Sequence, residues 1–119
     1  MRIVGRDKDL IISGGLNVYP AEIEDALNQL PGVLESAVVG MPHPDFGEVG
    51  CAFVLAKPGA VLEPAALLQA LKGRFAGFKV PKLCKLLEEL PRNAMGKVQK
   101  NVLRQQLESD PNYRRTIGI

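Results

Sequence analysis

The sequence is poor in several residue types that particular functions need. It has no tryptophan, two tyrosines and four phenylalanines, which leaves little aromatic surface on which nucleic-acid bases could stack. Its 15 Lys and Arg residues nearly balance 13 Asp and Glu residues, giving a formal net charge of +2. So small a positive excess is not typical of a surface that binds a phosphate backbone. We therefore predict no nucleic-acid partner.

Long apolar segments are also absent. No run reaches the roughly 18 apolar residues that a transmembrane helix needs, so we predict no membrane span. The N-terminus returns to charged residues at Arg6, Asp7 and Lys8 before an apolar stretch could form a signal peptide. Together these observations favour a cytoplasmic location.

Cysteine and histidine are too sparse to indicate a metal centre. Cys51 and Cys84 lie in apolar segments without CxxC spacing, which is typical of reduced thiols in a core. His43, the single histidine, lies between two prolines and has no neighbours at metal-ligand spacing. We predict no metal site in this chain.

The residues that are present favour one small domain. Hydrophobic residues make up 46% of the chain and charged residues 24%, as in an ordinary soluble protein with one core. The pattern predicts strands at Asp9–Ser13, Leu16–Tyr19, Val33–Gly40, Val49–Ala56 and Lys82–Leu87, helices from Pro20 to Pro31, from Pro64 to Gly77 and over Val98–Leu107, and a rigid loop over Met41–Gly47. This order predicts an α+β fold, with a small three-stranded sheet packed with helices and preceded by a two-stranded β-hairpin.

Local signals support these elements. Gly14-Gly15 between two β-forming runs is typical of a hairpin turn. Ile23, Ala26 and Leu27 recur at the spacing of one apolar helix face. The unbroken apolar run Val49–Ala56 indicates a central strand that is covered on both faces.

No complete catalytic set is visible, but two segments combine cations with turns or aromatics. Lys97 follows Gly96 in a polar turn and is either a solvated loop lysine or a point charge that reaches a phosphate. The segment Phe78–Lys82 is either the end of a helix followed by a strand, or an aromatic surface beside two cations. Phe46 is a core side chain or an exposed ring, and the residues alone favour the core.

Two longer motifs resemble a known family. The run Gly5–Glu24 (GRDKDLIISGGLNVYPAEIE) resembles the hinge motif that opens the C-terminal domain of acyl- and aryl-CoA synthetases. The run Leu90–Lys100 (LPRNAMGKVQK) resembles their catalytic-lysine motif, in the same order and at a similar separation. Three segments are most similar to those of malonyl- and methylmalonyl-CoA synthetases, namely SGGLNVYP, HPDFGE and MGKVQKNVLR.

The resemblance implies part of an AMP-forming acid–CoA ligase. Such enzymes use ATP and CoA as substrates and turn a small domain between the two half-reactions. It implies a hinge segment at residues 1–8, a mobile C-terminal domain at residues 9–108 and a loose tail at residues 109–119. It also implies an N-terminal large domain as partner, which would hold the ATP, the small-molecule carboxylic acid and Mg²⁺. Without that domain we expect the chain to be inactive.

The same resemblance implies roles for individual residues. Lys97 matches the catalytic lysine of the adenylation step. The other implied positions are Arg6 near the nucleotide ribose, Lys8 at the hinge, Gly14 and Gly15 along the pantetheine arm, Phe46 and Phe78 beside the CoA adenine, and Lys82 near a CoA phosphate. Val80 departs from relatives that have an arginine there, which makes Lys79 or Lys85 the candidate substitute.

Two alternatives remain open at this stage. One is an adenylation domain that transfers its acyl group to a carrier-protein thiol instead of CoA. The other is a non-catalytic interaction module that docks on a partner. The complete motif around Lys97 argues against the second alternative, and a comparison of CoA with a carrier protein as acceptor would test the first.

Overall fold

The computed structural model describes residues 10–75 and 77–110, apart from the side chain of Phe78. In chain order the elements are β1 (Ile11–Ser13), β2 (Leu16–Val18), α1 (Pro20–Asn28), β3 (Val33–His43), β4 (Gly47–Ala56), α2 (Pro64–Lys72), a 3₁₀ turn (Gly77–Lys79), β5 (Leu83–Leu87) and α3 (Lys100–Glu108). Strands β1 and β2 form an antiparallel hairpin. The second sheet has the order β3-β4-β5, in which β4 is antiparallel to β3 and parallel to β5. The predicted α+β fold is confirmed.

Helices cover both faces of the three-stranded sheet, because side chains alternate between its faces along each strand. One face packs on α3, and the other packs on α1, α2 and the hairpin. The residues on the α3 face include Val39, Cys51 and Phe53, and those on the opposite face include Val38, Ala52 and Val54. The central strand β4 is therefore buried on both faces, as its apolar run predicts.

A β-bulge near the start of β3 changes the face on which its residues lie. The register steps from Val33↔Ala56 to Glu35↔Leu55, so two residues of β3 oppose one residue of β4. Residues two apart in a regular strand share a face. Here Val33 instead packs with α1 and α2, whereas Leu55, the cross-strand partner of Glu35, packs on the α3 face. The bulge therefore directs Glu35 toward the α3 side of the sheet.

The loop predicted at Met41–Gly47 is mostly strand, which corrects that expectation. β3 continues through His43 and β4 begins at Gly47, so the turn is limited to residues 44–46. Pro42 is compatible with a strand because β3 lies at the edge of the sheet. Phe46 lies in this turn, beyond the end of the sheet, and its side chain is 40% exposed, so the core position that the residues alone favoured is wrong.

The first residues of α3 differ from the prediction as well. Val98 pairs with Arg92 in an antiparallel bridge, so the helix begins at Lys100. A cation at the positive N-terminal end of a helix is unfavourable. Glu24 Oε2 lies 2.9 Å from Lys100 Nζ and also accepts a hydrogen bond of 2.8 Å from Val38 N. This carboxylate compensates the charge and connects α1, β3 and α3.

Helix α2 ends earlier than predicted, and the remaining turns pack on the core. Its last residue is Lys72, and Gly77 begins the 3₁₀ turn rather than ending the helix. Phe75, which the apolar pattern assigned to the helix, packs against the core from the turn that follows. The helical spacing therefore identified a core residue but extended the helix too far.

Both cysteines are free thiols, with Cys51 buried and Cys84 half-buried. Burial raises the pKa of Cys51 to about 12 and that of Cys84 to about 11. Thiols with such pKa values stay protonated at neutral pH and react slowly. This agrees with the prediction of reduced core cysteines.

Candidate functional site

Lys97 lies in a hydrogen-bonded turn that we call the lysine turn, residues 92–98. The bridge between Arg92 and Val98 closes the turn at its base. Within it, Asn93 N donates to Lys97 O at 2.9 Å and Gly96 N donates to Asn93 O at 2.9 Å. Gly96 has a φ of +85°, a conformation that favours glycine. The polar turn predicted around Lys97 is confirmed, and the Lys97 side chain is exposed on it.

The side chain of Asn93 organises the interior of the lysine turn. Its Oδ1 accepts hydrogen bonds from Met95 N at 2.9 Å and from Lys97 N at 3.1 Å. Asparagine commonly stabilises turns in this way, by bonding to backbone N–H groups a few residues further along. The backbone of Lys97 is thus held before any ligand arrives.

Arg92 attaches the lysine turn to the sheet. It donates from Nη1 to Gly96 O at 2.9 Å and forms an ion pair with Glu35 of β3. The two partners of the ion pair are 57 positions apart in sequence. No spacing rule could have predicted this contact, although Arg92 itself lies in the recognised motif.

A second feature is a cleft of about 460 Å³ beside the hairpin, which we call the hairpin cleft. Its lining residues are Ser13, Gly14, Leu16, Phe46, Val49, Gly50, Gly77, Val80 and Lys82. The structure thus brings together Gly14, Phe46 and Lys82, three of the residues predicted to contact CoA. Gly14 and Gly15 belong to the same turn, but of these two only Gly14 is among the described residues that line the cleft.

The chemistry of the hairpin cleft suits an aromatic ring that carries an anion. Lys82 Nζ lies 4.9 Å from the centroid of the Phe46 ring, at cation–π distance. Gly14 has a φ of +60°, and a Cβ atom built there would lie 3.9 Å from Phe46 Cδ1. The absence of that side chain keeps the wall of the cleft open beside the ring.

The two lysines that could replace the missing arginine at position 80 are engaged in ion pairs. Lys79 Nζ lies 3.1 Å from Glu22 Oε1, and Lys85 Nζ lies 2.8 Å from Asp110 Oδ2. Val80 is buried in the wall of the cleft. Among the described residues, Lys82 is the lysine that lines this cleft.

The lysine turn and the hairpin cleft lie on opposite sides of the sheet. Leu90 and Val98, which flank the turn, pack on the α3 face, whereas Ile11 and Val18 of the hairpin pack on the other face. Along β4 the cleft is lined by Val49 and Gly50, near the start of the strand, and Leu55 lies beside Arg92 in a separate groove. At about 3.3 Å per residue, the five residues from Gly50 to Leu55 span roughly 16 Å.

Some predicted positions cannot be located. Arg6, Lys8 and the side chain of Phe78 lie outside the described residues. Within residues 10–75 and 77–110, no group of three or more His, Cys, Asp or Glu side chains could hold a metal ion. No helix in the same part of the chain is both long and apolar enough to cross a membrane.

Residues 22–97, more than half of the chain, match the family model of the AMP-binding enzyme C-terminal domain. The chain belongs to this family. Among curated relatives of this AMP-binding C-terminal domain, a (7a-methyl-1,5-dioxo-octahydroinden-4-yl)propanoyl:CoA ligase of Rhodococcus jostii is 54% identical over 104 residues, which cover 87% of this chain and 20% of the relative. An indoleacetate–CoA ligase of Aromatoleum aromaticum is 50% identical over 101 residues, covering 85% of this chain and 20% of the relative.

Solved structures agree with the sequence relatives. Apo MatB from Rhodopseudomonas palustris is 53% identical with a TM-score of 0.83, covering 87% of this chain and 21% of that one. The amide bond synthetase McbA from Marinactinospora thermotolerans is 34% identical with a TM-score of 0.78, covering 82% and 20%. The AMP-binding C-terminal domain described here spans about a fifth of the length of the curated relatives it matches.

Proposed function

We propose that this chain acts as the C-terminal domain of an ATP-dependent, AMP-forming acid–CoA ligase. The overall reaction converts a carboxylate, ATP and CoA to acyl-CoA, AMP and pyrophosphate through an acyl-adenylate. The observation that supports this most directly is the placement of the lysine turn and the hairpin cleft on opposite faces of one small sheet. Each face suits one of the two half-reactions.

In the first half-reaction, the lysine turn supplies positive charge. A carboxylate oxygen attacks the α-phosphorus of ATP, the new P–O bond forms, and the bond to pyrophosphate breaks. The exposed ammonium group of Lys97 stabilises the negative charge that builds on the α-phosphate oxygens as the adenylyl group is transferred. Because Asn93 and Arg92 already hold the backbone of the turn, little reorganisation is needed at that moment.

In the second half-reaction, the hairpin cleft receives CoA. The CoA sulfur attacks the acyl carbonyl, the C–S bond forms, AMP leaves with the electron pair of the C–O bond, and the thiol proton passes to solvent. Gly14 leaves room for the narrow pantetheine arm at the wall of the cleft, and Gly15, the next residue of the same turn, leaves room where the arm enters it. Phe46, together with Phe78, offers a surface for the adenine ring, and Lys82 offers a charge for a phosphate group.

The two faces cannot serve one reaction centre at the same time. We propose that the domain rotates between the half-reactions, with Lys8 at the hinge and Arg6 near the nucleotide ribose. The pockets for ATP and the acid, and the ligands for Mg²⁺, then belong to an N-terminal large domain, which is the partner of this one. This assignment agrees with the short span of the chain relative to its relatives.

The acid itself is open to experiment. Curated relatives that are at least 44% identical include ligases named for indoleacetate, trans-cinnamate and a bicyclic propanoate, so this domain is shared among ligases of dissimilar acids. Malonate is the first acid to test, because the motif segments are most similar to those of malonyl- and methylmalonyl-CoA synthetases and because the chain is similar to MatB.

The test is a comparison of half-reactions in the intact enzyme that contains this domain. The enzyme would be assayed with ATP, CoA and a panel of malonate, methylmalonate, indoleacetate and trans-cinnamate, with AMP and acyl-CoA as products. Lys97→Ala should lower acyl-adenylate formation by on the order of 10²–10³ or more, because it removes a preorganised charge. Transfer from preformed acyl-adenylate to CoA should remain near the wild-type rate.

Lys57→Ala is the matched control, since Lys57 is an exposed lysine in a loop that follows β4. It should leave both half-reactions unchanged. If Lys97→Ala lowers both half-reactions equally, the assignment of one face to each step is wrong. If a phosphopantetheinylated carrier protein replaces CoA as the better acceptor, the carrier-protein alternative is correct instead.

A further inference from the structure

The hairpin that forms one wall of the cleft has little structure of its own. Its strands β1 and β2 have three residues each. Such a short two-stranded hairpin is at best marginally stable in water unless it packs on something else. The position of Gly14 therefore depends on the contacts that join the hairpin to the sheet.

One of these contacts is apolar and depends on paired glycines. Gly40 of β3 lies opposite Gly50 of β4, and Ile11 of the hairpin fills the space above them. A Cβ atom at Gly40 would lie 2.9 Å from Ile11 Cγ1, a distance that real Cβ atoms essentially never show. This packing fixes the distance between the hairpin and the sheet, but it does not fix where the hairpin lies along the strands.

Two hydrogen bonds fix the position of the hairpin along the strands of the sheet. Gly14 N donates to Phe46 O at 2.7 Å, and Ile12 N donates to Glu48 Oε1 at 2.9 Å. The second bond joins the middle of β1 to a carboxylate near the start of β4. Hydrogen bonds to ionised acceptors are shorter and about twice as strong as neutral ones. Glu48 thus provides the charge-assisted one of these two links between the hairpin and the sheet.

We infer that Glu48 is a positioning residue for the thiol-transfer half-reaction. Through Ile12 N it holds the hairpin so that Gly14 stays beside Phe46 at the wall of the cleft. Glu48 is not among the described residues that line the cleft, so it acts through the hairpin and not on CoA directly. The inference rests on the proposed function, since it assumes that the cleft receives CoA.

The experiment uses the intact enzyme and the acid of the panel that the wild type converts best. Glu48→Ala should lower transfer from its preformed adenylate to CoA by about three- to tenfold, because one charge-assisted hydrogen bond is lost at a partly exposed position. Formation of the adenylate should stay within about twofold, because the lysine turn lies on the other face. Glu48→Gln should recover part of the loss, since its amide oxygen can still accept from Ile12 N.

Hydrogen–deuterium exchange of the peptide over residues 10–19 provides a direct readout of position. Its exchange should be faster in Glu48→Ala than in the wild type, and intermediate in Glu48→Gln. Glu88→Ala is the matched control, because it removes an exposed carboxylate next to the end of β5. It should change neither the exchange of this peptide nor the transfer to CoA.

The outcomes separate the inference from the proposed function. Faster exchange with slower transfer and normal adenylation supports a positioning role. Faster exchange with normal transfer overturns it, as does an equal loss in both half-reactions. If Gly14→Leu blocks transfer while Glu48→Ala does not, only the inference is wrong. If the wild-type enzyme makes no acyl-CoA from any adenylate of the panel, both are wrong.

Discussion

The lysine turn and the hairpin cleft are built in different ways. The turn is a local structure, in which Asn93 and Gly96 bond to neighbours within seven residues and an ion pair from Arg92 to Glu35 reaches the sheet. The cleft is assembled from three distant segments, residues 13–16, 46–50 and 77–82. A local site is preserved as long as its own motif is intact. An assembled site depends on every contact that sets its segments against one another.

The largest effect that would test this difference is expected at Gly14. Gly14→Leu should lower transfer to CoA by on the order of 10² or more, because the new side chain enters the wall of the cleft and displaces the reacting groups. Formation of acyl-adenylate should be nearly normal. Separate assays of the two half-reactions would check this result.

Gly59→Leu is the control for backbone strain. Gly59 also has a positive φ, +82°, but nothing lies within 4 Å of its Cβ position. Both variants should lower stability by a similar amount, about 1–3 kcal/mol for a strained conformation. Only Gly14→Leu should impair transfer; impairment of transfer by both would show that strain, and not the cleft, is responsible.

An intermediate effect is expected at the attachment of the lysine turn. Arg92→Ala removes the ion pair with Glu35 and the bond to Gly96 O, so adenylation should fall by about tenfold, as for one lost charged hydrogen bond. Glu35→Gln should cost less, about two- to threefold, because the ion pair is partly exposed. Rapid-quench measurement of acyl-adenylate would record both effects.

Glu22→Gln is the matched control for Glu35→Gln, since it breaks another exposed ion pair, with Lys79. It should leave adenylation unchanged. A loss of transfer to CoA in Arg92→Ala as large as the loss of adenylation would contradict the separation of the two sites.

The smallest effect is expected at Lys82. Lys82→Ala removes one exposed charge near Phe46, so the KM for CoA should rise about threefold while kcat stays nearly constant. The difference from the wild type should shrink as salt is added, because ions screen exposed charges. An unchanged KM at low ionic strength would remove Lys82 from the proposed CoA contacts.

The local parts of the fold were predictable from residue patterns. The turn at Gly14-Gly15, the apolar face of α1 and the buried central strand follow directly from spacing and turn chemistry. The predicted ends of elements were less accurate where tertiary context decides. β3 extends through Pro42 because it is an edge strand, and α3 starts late because Val98 pairs with Arg92.

The candidate site divides in the same way. The exposed position of Lys97 followed from its polar turn, whereas the residues alone placed Phe46 in the core, and only the family resemblance assigned it to a ligand surface. The contacts of Glu35 with Arg92 and of Glu48 with Ile12 gave no sequence signal, because the partners are 57 and 36 positions apart, respectively. Such contacts depend on how the sheet brings distant segments together, which no local pattern encodes.

The extra residue in β3 marks a place where the length of this domain could change without reversing its side chains. If Leu34 were deleted, Val33 would stay opposite Ala56 and Glu35 opposite Leu55 as consecutive pairs of a regular ladder, so both residues would keep their faces. A deletion in the regular part of β3 would instead move the residues on one side of it to the opposite face of the sheet. Recombination between related small domains should therefore accept a difference of one residue at position 34 but not within residues 36–41.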